Sequence, residues 1–514
     1  MNGAESLVRT LLASNIDVCF ANPGTSEMHF VAALDRVPGM RCILGLFEGV
    51  VTGAADGYGR MAGKPASTLL HLGPGLANGI ANLHNARKAR TPIVNIVGEH
   101  ASDHLQYESP LRSDVPATAA LISDWYKVGS GPRITCDAAE AVTAARAKDG
   151  QIATLILPAD TAWGPGCAPL VAKAPDSLVT ATSTTMAKAI QAVKAGKRCG
   201  LLVTGRVLEQ EGLTVLARLE DCGIKLLAQQ SNRRFARGLG RLLVPRIPFS
   251  IDQAVQMLRG LEVLIMVGSN PPAAFFGYPD KPRMQTPANC EFIHLVEPGG
   301  DAVHAISWLA EELGAPARAS RLATREAPSM PTTDQLNADT VMQVMGVLLP
   351  EDSIICDESV SSGRSLFKFT DGAAPHDYLQ ITGGAIGSGM PMATGASVAC
   401  PDRKVICFEG DGSGMYTLQA LWTQAREQLN VVTIILANRS YRILHGELKG
   451  VGINTPGEQA HRMLDLNNPT LDWVALARGQ GIEAVSVDTV SGFTKAFKAA
   501  CVMKGPSLIE AVIP

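Results

Sequence analysis

Short, continuously apolar runs recur from one end of this 514-residue chain to the other, each followed by a glycine or proline turn and a helical pattern. Runs such as DVCFA, RCILGLF, STLLHL, PIVNIVG, TLILP, CGLLVTG, VLIMVG, FIHLV, SIICDE, VICFEG, VVTIILAN and SLIEAVI lack polar–apolar alternation. They predict strands covered on both faces, as in parallel sheets flanked by helices. The fold class expected is α/β with doubly wound parallel sheets. At this length about three domains are expected. Polar, Pro- or Thr-rich stretches at residues 167–185 and 314–335 read as linkers, which gives domains over 1–170, 185–315 and 335–514.

Charge and cysteine content narrow the function. A net charge of −3 and a pI near 6.4 offer no attraction to nucleic acid or to a membrane surface. The N-terminus is amphipathic rather than signal-like, and no apolar run is long enough to cross a bilayer. The 11 cysteines show no C-x-x-C pairing and read as reduced thiols. A cytoplasmic protein acting on a small molecule is expected.

The stretch EGDGSGMYTLQALWTQAREQLNVVTIILANRS, residues 409–440, carries the most chemistry. Strand KVICFE runs into Gly410-Asp411-Gly412-Ser413-Gly414, a helix is expected over MYTLQALWTQAREQ, and strand VVTIILA ends at Asn438. In such a βαβ unit ligands lie at the carboxyl ends of the strands, so Asp411 and Asn438 are expected side by side. The turn's N–H groups and the helix N-terminus would face an anion. Asp411, the Asn438 side-chain carbonyl and a backbone carbonyl near Ser440 would offer oxygens to a hard cation. Mg²⁺ bridging a diphosphate meets both demands. Alone, G-D-G is as readily a simple turn and Asn438 a helix cap. Neither GPGLANG nor GGAIGSG has dinucleotide-binding spacing, and no phosphate-loop motif occurs.

The Asp411-to-Asn438 unit resembles the thiamine-diphosphate signature, although that signature usually closes with two asparagines and here Ala437 and Arg439 flank a single one. RCILGLFEGVVTGAADGYGRMAGKPA resembles the activating-glutamate segment of the same enzymes, with Glu48 ending a buried strand and opening a helix. By itself a glutamate there is an ordinary partner of the helix dipole. ANPGTSE, LHLGPGLANGIANLHNA, TPIVNIVGE, DESVSS and GGAIGSGMPMATGA follow in family order. The chain therefore resembles the acetolactate synthase large subunit and benzoylformate decarboxylase branch of thiamine-diphosphate enzymes over almost its whole length. That resemblance implies a pyrimidine-binding domain, a central domain and a diphosphate-binding domain. It also implies thiamine diphosphate and Mg²⁺, and a homodimer or homotetramer whose active sites lie between subunits.

Site residues follow from the resemblance position by position. Glu48 is the activating carboxylate, and Ile386 the wedge beneath the thiazolium. Ser359, Ser361, Gly387, Ser388, Gly410, Gly412, Ser413 and Tyr441 surround the cofactor, while Asp411, Asn438 and Ser440 hold the metal. Thr25 and His71 match substrate-binding and proton-handling positions, whereas a lone histidine at a strand end is more often a satisfied core residue. Leu111, Arg112, Phe276, Ile443, His445 and Glu447 are candidate pocket residues, and surface or solvated-helix roles are the plainer readings of Arg112, His445 and Glu447. Phe276 stands where the decarboxylases carry a second histidine.

The expected reaction is decarboxylation of a 2-oxo acid to an enamine, then C–C bond formation with a second carbonyl, as in acetolactate synthases. Simple decarboxylation, as in benzoylformate decarboxylase, and a flavin-containing oxidase of the same fold stay open. The central segment does not decide whether FAD is bound. A thiamine-binding regulator would normally have lost Glu48.

Overall fold

The computed structural model describes residues 1–317 and 327–514, so residues 318–326 of the expected second linker lie outside the described residues. The first linker is irregular backbone from Pro165 to Ala181.

Three sheets form. The first takes β1 (Val18–Asn22), β2 (Arg41–Leu44), β3 (Ala66–Leu70), β4 (Ile93–Glu99), β5 (Trp125–Val128) and β6 (Ile152–Pro158) in the order β2-β1-β3-β4-β6-β5, all parallel. The central sheet uses β7 (Cys199–Val203) and β8 (Lys225–Ala228). A short β9 (Phe235–Arg237) leaves that sheet. The chain then returns for β10 (Val263–Val267) and β11 (Glu291–Val296), giving the parallel order β11-β10-β7-β8. The third sheet contains β12 (Ser353–Glu358), β13 (His376–Gln380), β14 (Val405–Gly410), β15 (Val431–Ala437), β16 (Glu483–Val487) and β17 (Ser507–Val512) in the order β16-β17-β15-β14-β12-β13-β9.

Continuously apolar runs became the central strands: β3, β4, β6, β7, β10 and β15 are buried along their whole length. RCILGLF is different. It forms the edge strand β2, with Arg41 and Cys42 exposed, so Glu48 follows an edge strand rather than a buried one. The strands without an apolar run are β5 and β16, at sheet edges with mixed exposure, β8 at the edge of the central sheet, the three-residue β9, and β13, whose buried Asp377 and Gln380 are met by Arg234, Arg403 and Arg246.

Strand β9 crosses the expected domain division. It pairs antiparallel with β13, its neighbour Arg234 forms a two-pronged ion pair with Asp377, and Arg237 pairs with Asp371. The segment SNRRFAR therefore belongs to the third sheet although its sequence neighbours build the central one.

One helix crossing joins the first and third sheets. The helix Glu48–Ala62 packs against the helix Gly389–Ala399 so closely that a Cβ on Gly57 would lie 2.0 Å from the Met392 carbonyl oxygen, and one on Gly395 would lie 1.8 Å from that of Ala54. Only hydrogen fits at either position. Beside the crossing, buried Arg60 grips Asp56 through two nitrogens and donates to the Gln380 carbonyl at 2.7 Å and to Thr382 Oγ1 at 3.1 Å. The A-A-D-G-Y-x-R run is thus a docking device. Removing one member of such a buried pair typically costs about 3–5 kcal/mol.

Candidate active site

Each sheet reverses its strand order at one central point, the first and third sheets doing so again at an edge, and a crevice opens at the carboxyl ends of the strands at the central reversal. In the third sheet the reversal lies between β12 and β14, so the loops after Glu358 and Gly410 face each other. In the first it lies between β1 and β3, which brings the turn after Asn22 beside His71.

At the third-sheet crevice Asp411 follows β14 and Asn438 follows β15. Asp411 is only 3% exposed, and burial pushes its carboxyl up to about 6. Its side chain accepts from two backbone N–H groups, Gly412 at 2.9 Å and Arg439 at 2.5 Å, and forms no ion pair among the described residues. Asn438 Nδ2 donates to Ser362 Oγ at 3.1 Å, and its Oδ1 accepts from Ser440 N–H at 3.0 Å with a lone pair to spare. A buried carboxylate without a cation, next to an amide oxygen and the Ser440 main chain, is a donor set for a hard divalent ion. The glycine turn is a single helical turn, Asp411–Gly414, separated from the helix Ala420–Arg426, so the continuous helix expected after it is broken. Tyr441 lies against Gly412, where an added Cβ would meet its ring at 2.5 Å.

Beneath this turn two buried acids organise the neighbouring loop. Glu358 accepts from the N–H groups of Gly387, Ser388 and Gly389 at 2.8, 2.7 and 2.5 Å. Burial raises Glu358 to about 7, and burial together with the Glu358 charge raises Glu409. Ser413 Oγ donates to Glu409. The loop so held presents half-buried Ile386, which joins none of the hydrophobic clusters among the described residues. It also leaves the buried Ser388 hydroxyl without a hydrogen-bond partner. Ser359 is spent differently: its hydroxyl and N–H both go to Asp357, while Ser361 faces an adjoining groove.

Backbone strain marks the same places. Leu72, Val360 and Arg439 have φ of 52°, 48° and 56° at the ends of β3, β12 and β15. Such left-handed non-glycine residues, a β-branched valine above all, concentrate where function dictates the backbone.

In the first-sheet crevice Glu48 opens its helix at 7% exposure and accepts from Asn78 Nδ2 at 3.0 Å. A Cβ at Gly75 would be 3.3 Å from both Glu48 Oε1 and His71 Cβ, so the two side chains flank one glycine. His71 Nδ1 lies 2.8 Å from Glu27 Oε2 and 3.3 Å from Ser26 Oγ. Glu27 is 2% exposed and fits only because residue 98 is glycine, whose Cβ would fall 1.7 Å from Glu27 Oε1. Thr25 starts this turn and is exposed. Asn82 ties the crevices together, donating to the Gly49 carbonyl at 2.8 Å and to the Gly387 carbonyl at 3.0 Å.

The groove beside Ser361, about 430 Å³, is lined by Phe249, Phe275, Phe276, Arg364, Ile443 and Glu447 among others. Phe275 reaches over Gly384, two residues from Ile386. Tyr278 donates to Glu447. Three expected pocket residues lie elsewhere. His445 lies on the side of its helix away from Ile443 and Glu447, which are four apart and share a face, and it bonds to Asp465 at 2.7 Å. Arg112 donates to the carbonyls of Leu105 and Ser113 in its own loop, and Leu111 beside it is exposed and outside the groove.

Glu27, Asn78, Asn82, Ser362 and Glu409 were not singled out from sequence. Glu27 stands within ANPGTSE, Asn78 and Asn82 within LHLGPGLANGIANLHNA, Ser362 at the end of DESVSS and Glu409 at the start of EGDGSG, so motif position is the available signal, while the roles of Asn82 and Glu409 become visible only through contacts.

With this geometry in hand, comparison with known proteins is informative. Residues 1–117 match the model described as thiamine pyrophosphate enzyme, N-terminal TPP binding domain, and residues 361–511 match the C-terminal TPP binding domain. A Mycobacterium tuberculosis (strain ATCC 25618 / H37Rv) protein provisionally named acetolactate synthase large subunit IlvX is 46% identical, covering 100% of this chain and 99% of that one. Benzoylformate decarboxylase of Pseudomonas aeruginosa is 28% identical, covering 96% and 95%. In fold, the chain superposes on the Rhodococcus jostii RHA1 thiamine diphosphate-dependent 4-hydroxybenzoylformate decarboxylase with a TM-score of 0.86 at 23% identity, covering 100% of this chain and 99% of that one.

Proposed function

Since the chain belongs to the thiamine pyrophosphate enzyme family, we propose that it is a thiamine-diphosphate-dependent enzyme of 2-oxo acids that decarboxylates its substrate and joins the product to a second carbonyl, as an acetolactate synthase does. The observation carrying this reading is the pair of crevices: a cation-free buried carboxylate at Asp411 with Asn438 and Ser440, and the Glu48 carboxylate beside His71, linked through Asn82.

Asp411, Asn438 and the Ser440 carbonyl would hold Mg²⁺ against the diphosphate, with Gly410, Gly412 and Ser413 in the turn beside them. The unpartnered Ser388 hydroxyl and the half-buried Ile386 fit a group lying over their loop. When bound, thiamine diphosphate supplies a carbanion that adds to a 2-oxo group and accepts the electrons released with CO₂. Glu48 holds a proton at the aminopyrimidine ring nitrogen. His71, its Nδ1 fixed by Glu27, has Nε2 without a partner among the described residues and can pass a proton to or from the substrate oxygen. The His71–Glu27–Ser26 relay also favours a second reading, plain decarboxylation with protonation of the product. The aromatic groove, with Phe276 in it and no histidine, favours ligation.

A homodimer or homotetramer, with Glu48 acting on cofactor held by the neighbouring subunit, completes the proposal. Flavin is a separate question. The central sheet has its own crevice of about 590 Å³ at the ends of β7 and β10, rimmed by Arg90, Arg206 and Arg233. A visible spectrum of the purified protein decides whether flavin fills it.

The function is tested by loading thiamine diphosphate and Mg²⁺, screening 2-oxo acids, and separating aldehyde from hydroxyketone products. Glu48→Gln is expected to abolish turnover and leave cofactor binding measurable; full activity in that variant refutes the role of Glu48.

A further inference from the structure

Three side chains outside both crevices converge on one point. His445 lies on the helix Arg442–Gly450, His461 on the helix Glu458–Leu464, and Asp465 directly follows the latter. His445 Nε2 is 2.7 Å from Asp465 Oδ1, His461 Nδ1 is 3.2 Å from Asp465 Oδ2, and one ligand atom from each residue lies within 4.8 Å of the others.

We infer that His445, His461 and Asp465 form a binding site for a divalent transition cation of the zinc type, separate from the Mg²⁺ site at Asp411. Two imidazoles and a carboxylate are the donors such ions prefer, whereas Mg²⁺ favours oxygen ligands alone. Zinc bonds of about 2.0–2.2 Å place neighbouring ligand atoms of a tetrahedral ion about 3.3 Å apart, a value between the 2.7 Å of the His445–Asp465 pair and the 4.8 Å within which all three ligand atoms lie. Its scaffold is fixed. His461 and Asp465 are four residues apart on one helical face. Asp465 is held by a two-stranded bridge in which Tyr441 N–H donates to the Leu464 carbonyl at 2.8 Å and Leu466 N–H to the Arg439 carbonyl at 2.7 Å. The His461 side chain is 49% exposed, which gives an ion a way in and leaves a position open for water. A bound ion would staple the two helices to each other and, through the bridge, to the loop carrying Asn438. None of this depends on the reaction proposed above.

The test uses the full chain saturated with thiamine diphosphate and Mg²⁺, so that the Asp411 site is filled, and titrates Zn²⁺ and Co²⁺ into the parent, His461→Ala and Asp465→Asn. One Zn²⁺ per chain is expected to bind the parent and to bind either variant ~10-fold or more weakly. Co²⁺ should give ligand-field bands without thiolate charge-transfer absorption, and Zn²⁺ should slow amide exchange over residues 442–465 in the parent alone. Equal Zn²⁺ affinity in parent and variants, or thiolate-to-cobalt absorption showing that cysteines hold the ion, would overturn the assignment.

Discussion

His71 Nδ1 and Glu27 Oε2 lie 2.8 Å apart, with the glutamate sealed under the turn it belongs to. Glu27 fixes which nitrogen of the ring faces the crevice, and its Oε2 also accepts from Gly24 N–H at 2.8 Å. Glu27 is therefore a positioning residue for His71. General acid–base groups contribute about 10²–10⁴ in rate, so Glu27→Gln should lower kcat by about 10². Cofactor titration should be unchanged, and steady-state kinetics with a fluorescence titration of thiamine diphosphate checks both.

The crossing of the Glu48 helix with the helix Gly389–Ala399 has no room for a methyl group at residue 395. Forcing one in means separating two backbones, and overpacking of this kind costs about 3 kcal/mol. Gly395→Ala should lose that much stability in urea unfolding, while Gly63→Ala, where nothing lies within 4 Å of an added Cβ, should suffer only from its φ of 64°.

Arg439 occupies a left-handed conformation directly after Asn438. Asparagine visits that region at lower cost than arginine does. Arg439→Asn should raise stability by ~0.5–1 kcal/mol, measured by chemical unfolding.

His376 is fully buried, donates from Nδ1 to the Ala374 carbonyl at 2.8 Å, and is pushed down to about 3 by burial and by Arg237. The unfolded chain takes up a proton near the ordinary histidine value and the folded chain does not. Stability from this group is therefore present above about pH 6.5 and falls by about 1.4 kcal/mol per unit as pH drops toward 3. Glu358, raised to about 7, acts in the opposite direction but is common to parent and variant. Between pH 6.5 and 5.5 the parent should lose about 1 kcal/mol more than His376→Gln in paired urea titrations.

Sequence reading reached furthest where local pattern and burial coincide. Central strands such as β4 and β15 are covered on both faces, and their composition records it. Edge strands β5 and β16 and the polar β13, whose Asp377 is met by Arg234 and Arg403, carry no such record. Asp411 and Asn438 were legible because one βαβ unit must bring its two strand ends together. His445 was misplaced because helix phase, rather than distance from Asn438, decides which side it faces. The tie from Asn82 to Gly387 and the pairing of Glu409 with Glu358 join residues far apart in the chain, and no spacing announces them. The same holds for β9, whose attachment to β13 rests on ion pairs between residues more than a hundred positions apart.

The central claim is that Glu48 of one subunit acts at a site whose metal ligands belong to another. Glu48→Gln and Asp411→Asn chains carrying different tags can be coexpressed and the mixed oligomer purified through both tags. Each variant alone should be inactive, while the mixed dimer regains one intact site of two and about half the parent's activity. A mixed oligomer as inactive as its parents would contradict the account.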